Sequence, residues 1–222
     1  MEIVKEPAWE TFLLNNQPSK KFEQYYTQRL KEDHDGYWQT LAEAETAYLI
    51  NSTIPIVDFN RETVGKKDVD LIAKLGNDEI YIEVTTSQYK SDTNSDLQQD
   101  SKLLRAMKHA SNKFLTTSKN LLVMYDEQLK SSFYDPGFIQ DDVPATYFNC
   151  HFFEYADGKT IDMYKISALL LFGQRKYPDY SRDYNVWENK NAYNPLNLER
   201  LQDILKTQFK RVTTTSVEVT EV

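Results

Sequence analysis

The stretch Val69 to Thr86, VDLIAKLGNDEIYIEVTT, decides the fold. Apolar and polar residues alternate on both sides of Gly76-Asn77, and a two-residue Gly-Asn loop is a favoured hairpin turn because both residues tolerate positive φ. Leu75 is therefore expected opposite Asp78, and the register follows from that pair. It sets Val69 against Val84, Leu71 against Ile82 and Ala73 against Ile80 on one apolar face, which should be core. The other face opposes Asp68 to Thr85, Asp70 to Glu83, Ile72 to Tyr81, and Lys74 to Glu79, the last as a cross-strand ion pair. Asp70 and Glu83 are the anomaly. Directly opposed carboxylates, with Cβ atoms about 5 Å apart, destabilise a sheet unless a cation or a shared proton lies between them. The alternatives are a slipped register or two acids splayed into water.

Working outward, Ser19 to Glu32 spaces Phe22, Tyr25, Tyr26 and Leu30 as a helix, and Tyr37 to Ile50 does so with Trp38, Leu41, Tyr48 and Leu49. Ile54 to Phe59 is a third strand candidate beside Val69 to Leu75 and Glu79 to Thr86. Leu97 to Leu115 carries Leu103, Met107, Ala110 and Phe114 as an apolar stripe. It leads into Asn120 to Tyr125 (NLLVMY), a continuous apolar run expected of a strand covered on both faces. Thr146 to Tyr155 and Thr160 to Phe172 read as a further hairpin, Leu196 to Phe209 as a closing helix, and Val212 to Val222 as a tail or an edge strand. The expected fold class is α/β, a central mixed sheet flanked by helices. A single domain spans 1–210, with its core at about 37–173, and 211–222 form the tail.

Composition narrows the chemistry. Among 222 residues there are six glycines, and the closest two, Gly65 and Gly76, lie eleven positions apart. That excludes GxGxxG, GxxxxGK[ST] and GxSxG, and with them the usual dinucleotide fingerprint, the P-loop and the nucleophile elbow. One cysteine, Cys150, and scattered His34, His109 and His151 supply neither an internal disulfide nor a Cys/His zinc site. The longest apolar run, Ile166 to Phe172, is far short of the roughly 20 residues of a membrane helix, and MEIVKEPAWE has no signal-peptide pattern, so a cytoplasmic protein is expected. What remains is carboxylate, lysine, hydroxyl and tyrosine chemistry, for which a hard metal ion is the natural cofactor.

The helix Tyr37 to Ile50 adds a third acid. At 100° per residue from Trp38, Glu45 falls at about 340°, inside the apolar stripe of Leu41, Tyr48 and Leu49, while Glu43 falls at about 140°, toward solvent. A carboxylate in a core-facing stripe must be paired, protonated or metal-bound. A tyrosine hydroxyl or a buried lysine is the plainer partner for it.

An acid on an N-terminal helix, an Asp on one strand, a Glu on the next, then a helix and a buried strand resembles the PD-(D/E)XK nucleases, whose fold is restriction-endonuclease-like. Glu45, Asp70 and Glu83 occur in that order, and the resemblance covers about Tyr37 to Tyr125. It implies that Asp70, Glu83 and the carbonyl of Val84 hold Mg²⁺ (or Mn²⁺), with Glu45 as a further ligand or water anchor. The family lysine falls on Thr85, which cannot supply a positive charge. Lys113 and Lys90 are the local lysines that could take its place.

Net charge is −8, which opposes nonspecific binding to phosphate backbones. Locally, Lys102, Arg105, Lys108, Lys113 and Lys119 occur without an intervening acid, a cationic strip that a nucleic acid could follow, or a solvated helix face. The aromatic residues could offer base-stacking platforms, although core packing accounts for most such rings. The expected activity is Mg²⁺-dependent phosphodiester hydrolysis, on DNA rather than RNA, with no membrane partner and with room for a homodimer. The rival is a catalytically inert protein of the same fold that binds nucleic acid or a protein partner.

Overall fold

The computed structural model describes residues 6–32, 36–63, 67–86, 97–125, 147–154, 158, 160–175, 182–199 and 201–203. Lys90, the tail 211–222 and half of the expected closing helix Leu196 to Phe209 lie outside them. The described elements are α1 (Pro7–Asn15), α2 (Lys20–Glu32), α3 (Tyr37–Asn51), β1 (Ile56–Glu62), β2 (Asp68–Leu75), β3 (Asp78–Thr86), α4 (Leu97–Ser111), β4 (Lys119–Tyr125), β5 (Phe152–Glu154), β6 (Thr160–Asp162), β7 (Ala168–Arg175) and β8 (Arg182–Glu188), with a 3₁₀ turn at Met163–Lys165. The protein is α/β. A mixed six-stranded sheet runs in the order β1-β2-β3-β4-β7-β8, and β5 and β6 form a separate ribbon.

The β2–β3 hairpin has the expected register over five pairs, from Leu71 opposite Ile82 to Leu75 opposite Asp78. Gly76 takes φ +64° at the first central position of the turn. Asn77 does not share that sign, which is the pattern of a II′ turn. Lys74 and Glu79 are cross-strand partners as expected, but the Glu79 carboxylate takes its ion pair from β1 instead: both its oxygens accept Arg61 Nη1 at 2.7 Å.

The sheet is buried on both sides, giving three layers. Leu71, Ala73, Ile80, Ile82 and Val84 pack with Phe22 and Tyr26 of α2 and Ala42, Ala44, Ala47 and Ile50 of α3. Ile72, Tyr81, Leu122 and Leu169 pack with Leu103, Met107, Ala110 and Phe114 on the α4 side. Strand β4 sends Leu121 and Val123 to one cluster and Leu122 and Met124 to the other, so its continuous apolar run matches burial on both faces. It lies parallel to β3 and to β7.

Two readings change. Thr160 to Phe172 is not one strand of a hairpin: β6 pairs with β5, the 3₁₀ turn intervenes, and ALLLF enters the main sheet as the start of β7. Two-sided burial explains it, since Leu169, Leu170, Leu171 and Phe172 are all nearly inaccessible and such a run cannot line a half-exposed ribbon. Val69 also leaves its expected face, packing in the α4-side cluster while Leu71 packs with α3. Residues two apart on a strand normally share a face, so β2 turns over at Asp70. Asn60, between the β1 partners of Val69 and Leu71, has φ +49°. Such a break re-aims a side chain, and here the side chain is Asp70.

Candidate active site

The hairpin ladder stops at Leu71 and Ile82, and one step further Asp70 Oδ2 accepts the Val84 N–H at 2.7 Å. A carboxylate thus stands where a main-chain acceptor would be, which brings Asp70 beside Glu83. Burial is the main force raising the Asp70 carboxyl well above the ordinary range, followed by the Glu83 and Glu43 carboxylates; Lys113 and the Val84 N–H oppose it. The centre therefore favours an added positive charge or a retained proton.

Glu83 is 3% exposed. Its Oε1 accepts Lys113 Nζ at 2.6 Å and lies 3.2 Å from His109 Nδ1, both from the C-terminal part of α4 and its continuation. Its Oε2 is buried and makes no hydrogen bond within the protein. Lys113 is itself fixed: its N–H bonds Ala110 O as the helix ends, and its carbonyl accepts Thr63 Oγ1 at 2.7 Å. Of the two lysines considered as substitutes for the family residue, Lys113 therefore reaches Glu83. Lys90 lies outside the described residues. Thr85 is half-buried, two positions from Glu83 and so on the same face of β3.

Glu45 is elsewhere, and the sequence expectation for it is overturned. It is fully buried, accepting Arg175 Nη2 at 2.7 Å, Arg182 Nε at 2.8 Å and Nη2 at 3.1 Å, and Trp9 Nε1 at 3.3 Å. Glu6 also pairs with Arg175. The plainer partners considered for Glu45, a tyrosine or a lysine, are replaced by two arginines and an indole. The helical wheel misled because α3 is buried from Thr40 through Ala47 and has no broad solvent face. Its Leu41 and Tyr37 stripe packs against Trp9 and Leu13 of α1, while its alanines face the sheet.

Glu43, not Glu45, is the α3 acid whose charge bears on Asp70 and Glu83. It is 3% exposed, accepting Arg29 Nη1 at 2.5 Å and Gln39 Nε2 at 3.1 Å. Burial raises its carboxyl, Arg29 and Gln39 draw it back, and Glu83 adds to the rise. Gln39, one turn earlier, anchors the helix to β3. Its Nε2 also donates to Val84 O at 2.8 Å, and its Oε1 accepts Thr86 N at 3.1 Å and lies 3.3 Å from Thr86 Oγ1. Gln39, Glu43 and His109 were missed in the sequence. The usable signal for the first two was their i,i+4 spacing beside Ala42 and Ala47, small residues that let a helix approach a sheet closely.

Arg105 is exposed and Lys108 half-buried on α4, while Lys119 is held by Asp78 at 2.7 Å. The Lys102 side chain lies outside the described residues. Among the described residues no group of three or more His, Cys, Asp and Glu side chains forms a cage for a metal ion. The donor set is two carboxylates, Asp70 and Glu83, with the buried Glu83 Oε2 left over from the protein's own hydrogen bonding. That fits a hard cation such as Mg²⁺, which is typically bound by one or two carboxylates and keeps several waters. The Val84 carbonyl, the third ligand implied by the resemblance, already accepts the Gln39 amide. The chain matches no protein-family model, no curated protein and no solved structure.

Proposed function

We propose that this protein is a divalent-metal-dependent nuclease that hydrolyses phosphodiester bonds, DNA rather than RNA, and that it is related in design to the PD-(D/E)XK enzymes. The observation that carries the reading is Lys113 Nζ at 2.6 Å from Glu83 Oε1, a cation beside the strand acid in a chain whose own family position is Thr85. Element order supports it: a helix with an acid, the Asp70/Glu83 hairpin, then α4 and a buried strand parallel to β3.

Asp70 and Glu83 Oε2 would hold Mg²⁺ or Mn²⁺, and Glu43 would stand behind them, tied to Arg29 and Gln39. A bound divalent ion supplies a water of lowered pKa and draws charge from the phosphate. Lys113 adds a fixed ammonium where negative charge develops on the phosphoryl oxygens. Its hydrogen bond to Glu83 Oε1 holds the carboxylate and leaves Oε2 for the ion. Gln39 fixes Val84, and through the Val84 N–H it fixes Asp70. Arg105 and Lys108 on α4 offer the phosphate backbone a cationic approach from Lys113's own element.

The alternative, an inert protein of this architecture that binds nucleic acid or a protein, is favoured by Thr85 and by the net charge of −8. Incubation with supercoiled plasmid and with single-stranded oligonucleotides, in Mg²⁺, Mn²⁺ or chelator, separates the two. Metal-dependent cutting that Asp70→Asn abolishes supports the enzyme. A mobility shift without cutting in any metal supports the inert binder.

A further inference from the structure

The β5–β6 ribbon has one inward and one outward face. Phe153 and Ile161, cross-strand partners, pack on the α4-side core, so the next pair, Phe152 and Asp162, points the other way. Phe152 is 58% exposed. One face of its ring is covered, since it stacks on His151 at 3.9 Å, and His151 stacks in turn on Tyr164 at 4.3 Å. The opposite face of Phe152 is therefore the open end of a three-ring stack. Tyr193, 43% exposed, stands edge-on to His151 and to Tyr164. Its Oη donates to Asp162 Oδ2 at 3.2 Å and lies 2.7 Å from His151 Nε2, and its N–H donates to Tyr164 O at 2.8 Å. Rings fixed in this way lose little further freedom when a ligand lies on them.

The exposed area selects the occupant. At roughly 200 Å² for each aromatic side chain, Phe152 and Tyr193 leave about 200 Å² open. A stable protein interface covers about 1,000 Å² or more, so the open end suits a single planar group. Charge favours a phosphate-linked one. Lys165 follows Tyr164 on the 3₁₀ turn, and exposed Lys190 precedes Tyr193 in a loop that Asn189 Nδ2 ties to Met163 O and Ile166 O. The cluster also adjoins the end of α4: Ser111 Oγ donates to Asp162 O at 3.0 Å, and Ser111 O accepts Lys165 Nζ at 3.4 Å, two residues before Lys113.

We propose that Phe152 ends a platform on which an unpaired base of single-stranded DNA stacks, its phosphates toward Lys165 and Lys190. The inference rests on the nuclease reading above and narrows its substrate class to DNA with an unpaired segment. In an intact duplex both faces of a base are already stacked on neighbours, whereas a free strand offers them to an aromatic ring.

The test is fluorescence anisotropy of a short labelled oligothymidylate in chelator, where binding is read without cutting. It compares wild type, Phe152→Ala and Phe152→Trp, with a duplex of the same length as control and far-ultraviolet circular dichroism to confirm folding. The wild type should bind the single strand more tightly than the duplex. Phe152→Ala should weaken single-strand binding by about 5- to 100-fold, the usual effect of deleting one base-stacking ring, and Phe152→Trp should retain it. Equal affinity of wild type and Phe152→Ala, or loss of binding in both variants, overturns this inference alone. So does self-association of the wild type that Phe152→Ala abolishes, which would place a second copy on the platform. A wild type that cuts plasmid in Mn²⁺ but does not bind the oligonucleotide also overturns this inference and leaves the nuclease reading standing. Neither binding nor cutting overturns both.

Discussion

Lys113→Met removes one charge and keeps the stem. The ammonium lies 2.6 Å from Glu83 Oε1, and the two side chains are 15% and 4% exposed. Deleting one partner of a buried ion pair costs about 3–5 kcal/mol, because the other charge is left uncompensated. Two features reduce that here: His109 Nδ1 remains 3.2 Å from the same oxygen, and Lys113 keeps some contact with solvent. We expect about 2 kcal/mol in chelator, which for a chain of this size lowers the melting temperature by about 4–8 °C. In saturating Mn²⁺ the loss should shrink, since the ion replaces part of the missing positive charge. Cleavage should fall by about 10²- to 10³-fold, the usual effect of deleting one group that stabilises transition-state charge. Thermal melts in chelator and in Mn²⁺, run beside a plasmid-cutting assay, read all three. A stability loss with cleavage intact would reduce Lys113 to a structural counter-ion, and no loss in chelator would refute the ion pair itself.

Asp70→Asn should melt at the same temperature or higher at neutral pH without metal, and should lose the stabilisation that Mn²⁺ gives the wild type. The folded Asp70 carboxyl is raised by burial, Glu83 and Glu43, so its contribution to stability is present below the unfolded value and is lost as pH rises through the folded one. In chelator, melting temperatures of wild type and Asp70→Asn measured across pH should therefore diverge in favour of the variant as pH increases. Glu45→Gln should destabilise the fold by about 3–5 kcal/mol, since Arg175 and Arg182 lose their shared counter-charge, yet leave Mn²⁺ affinity of the folded protein within about twofold by titration. Thr85→Lys should add little cleavage, because Lys113 already supplies the cation at Glu83; a large gain would indicate that the native centre lacks a working one.

The hairpin was legible because its determinants are local: Gly76 at a turn and a two-residue alternation fix register without reference to the rest of the chain. Asp70 and Glu83 follow from it. The roll of β2 at Asp70 was not legible, since it depends on Asn60 in another strand. Glu45 was correctly read as a buried acid in need of a partner, but the wheel could not say which side of α3 meets the sheet. Both sides are buried, and Arg175 and Arg182, more than a hundred residues away, decide where Glu45 belongs. Strand β7 was hidden for a related reason. Its apolar run follows β6 closely in sequence, and only the parallel partner β4 distinguishes a new strand from a continuation. That Lys113 reaches Glu83 was readable as one of two candidates, because the path of the chain beyond Ser111 sets its reach.

The most direct measurement is anomalous scattering from a crystal of the full chain soaked in Mn²⁺. We predict a single strong peak about 2.1 Å from an Asp70 carboxylate oxygen and from Glu83 Oε2, with Lys113 still on Glu83 Oε1. A peak elsewhere, or an Asp70–Glu83 pair that stays free of metal at saturating Mn²⁺, would contradict the account.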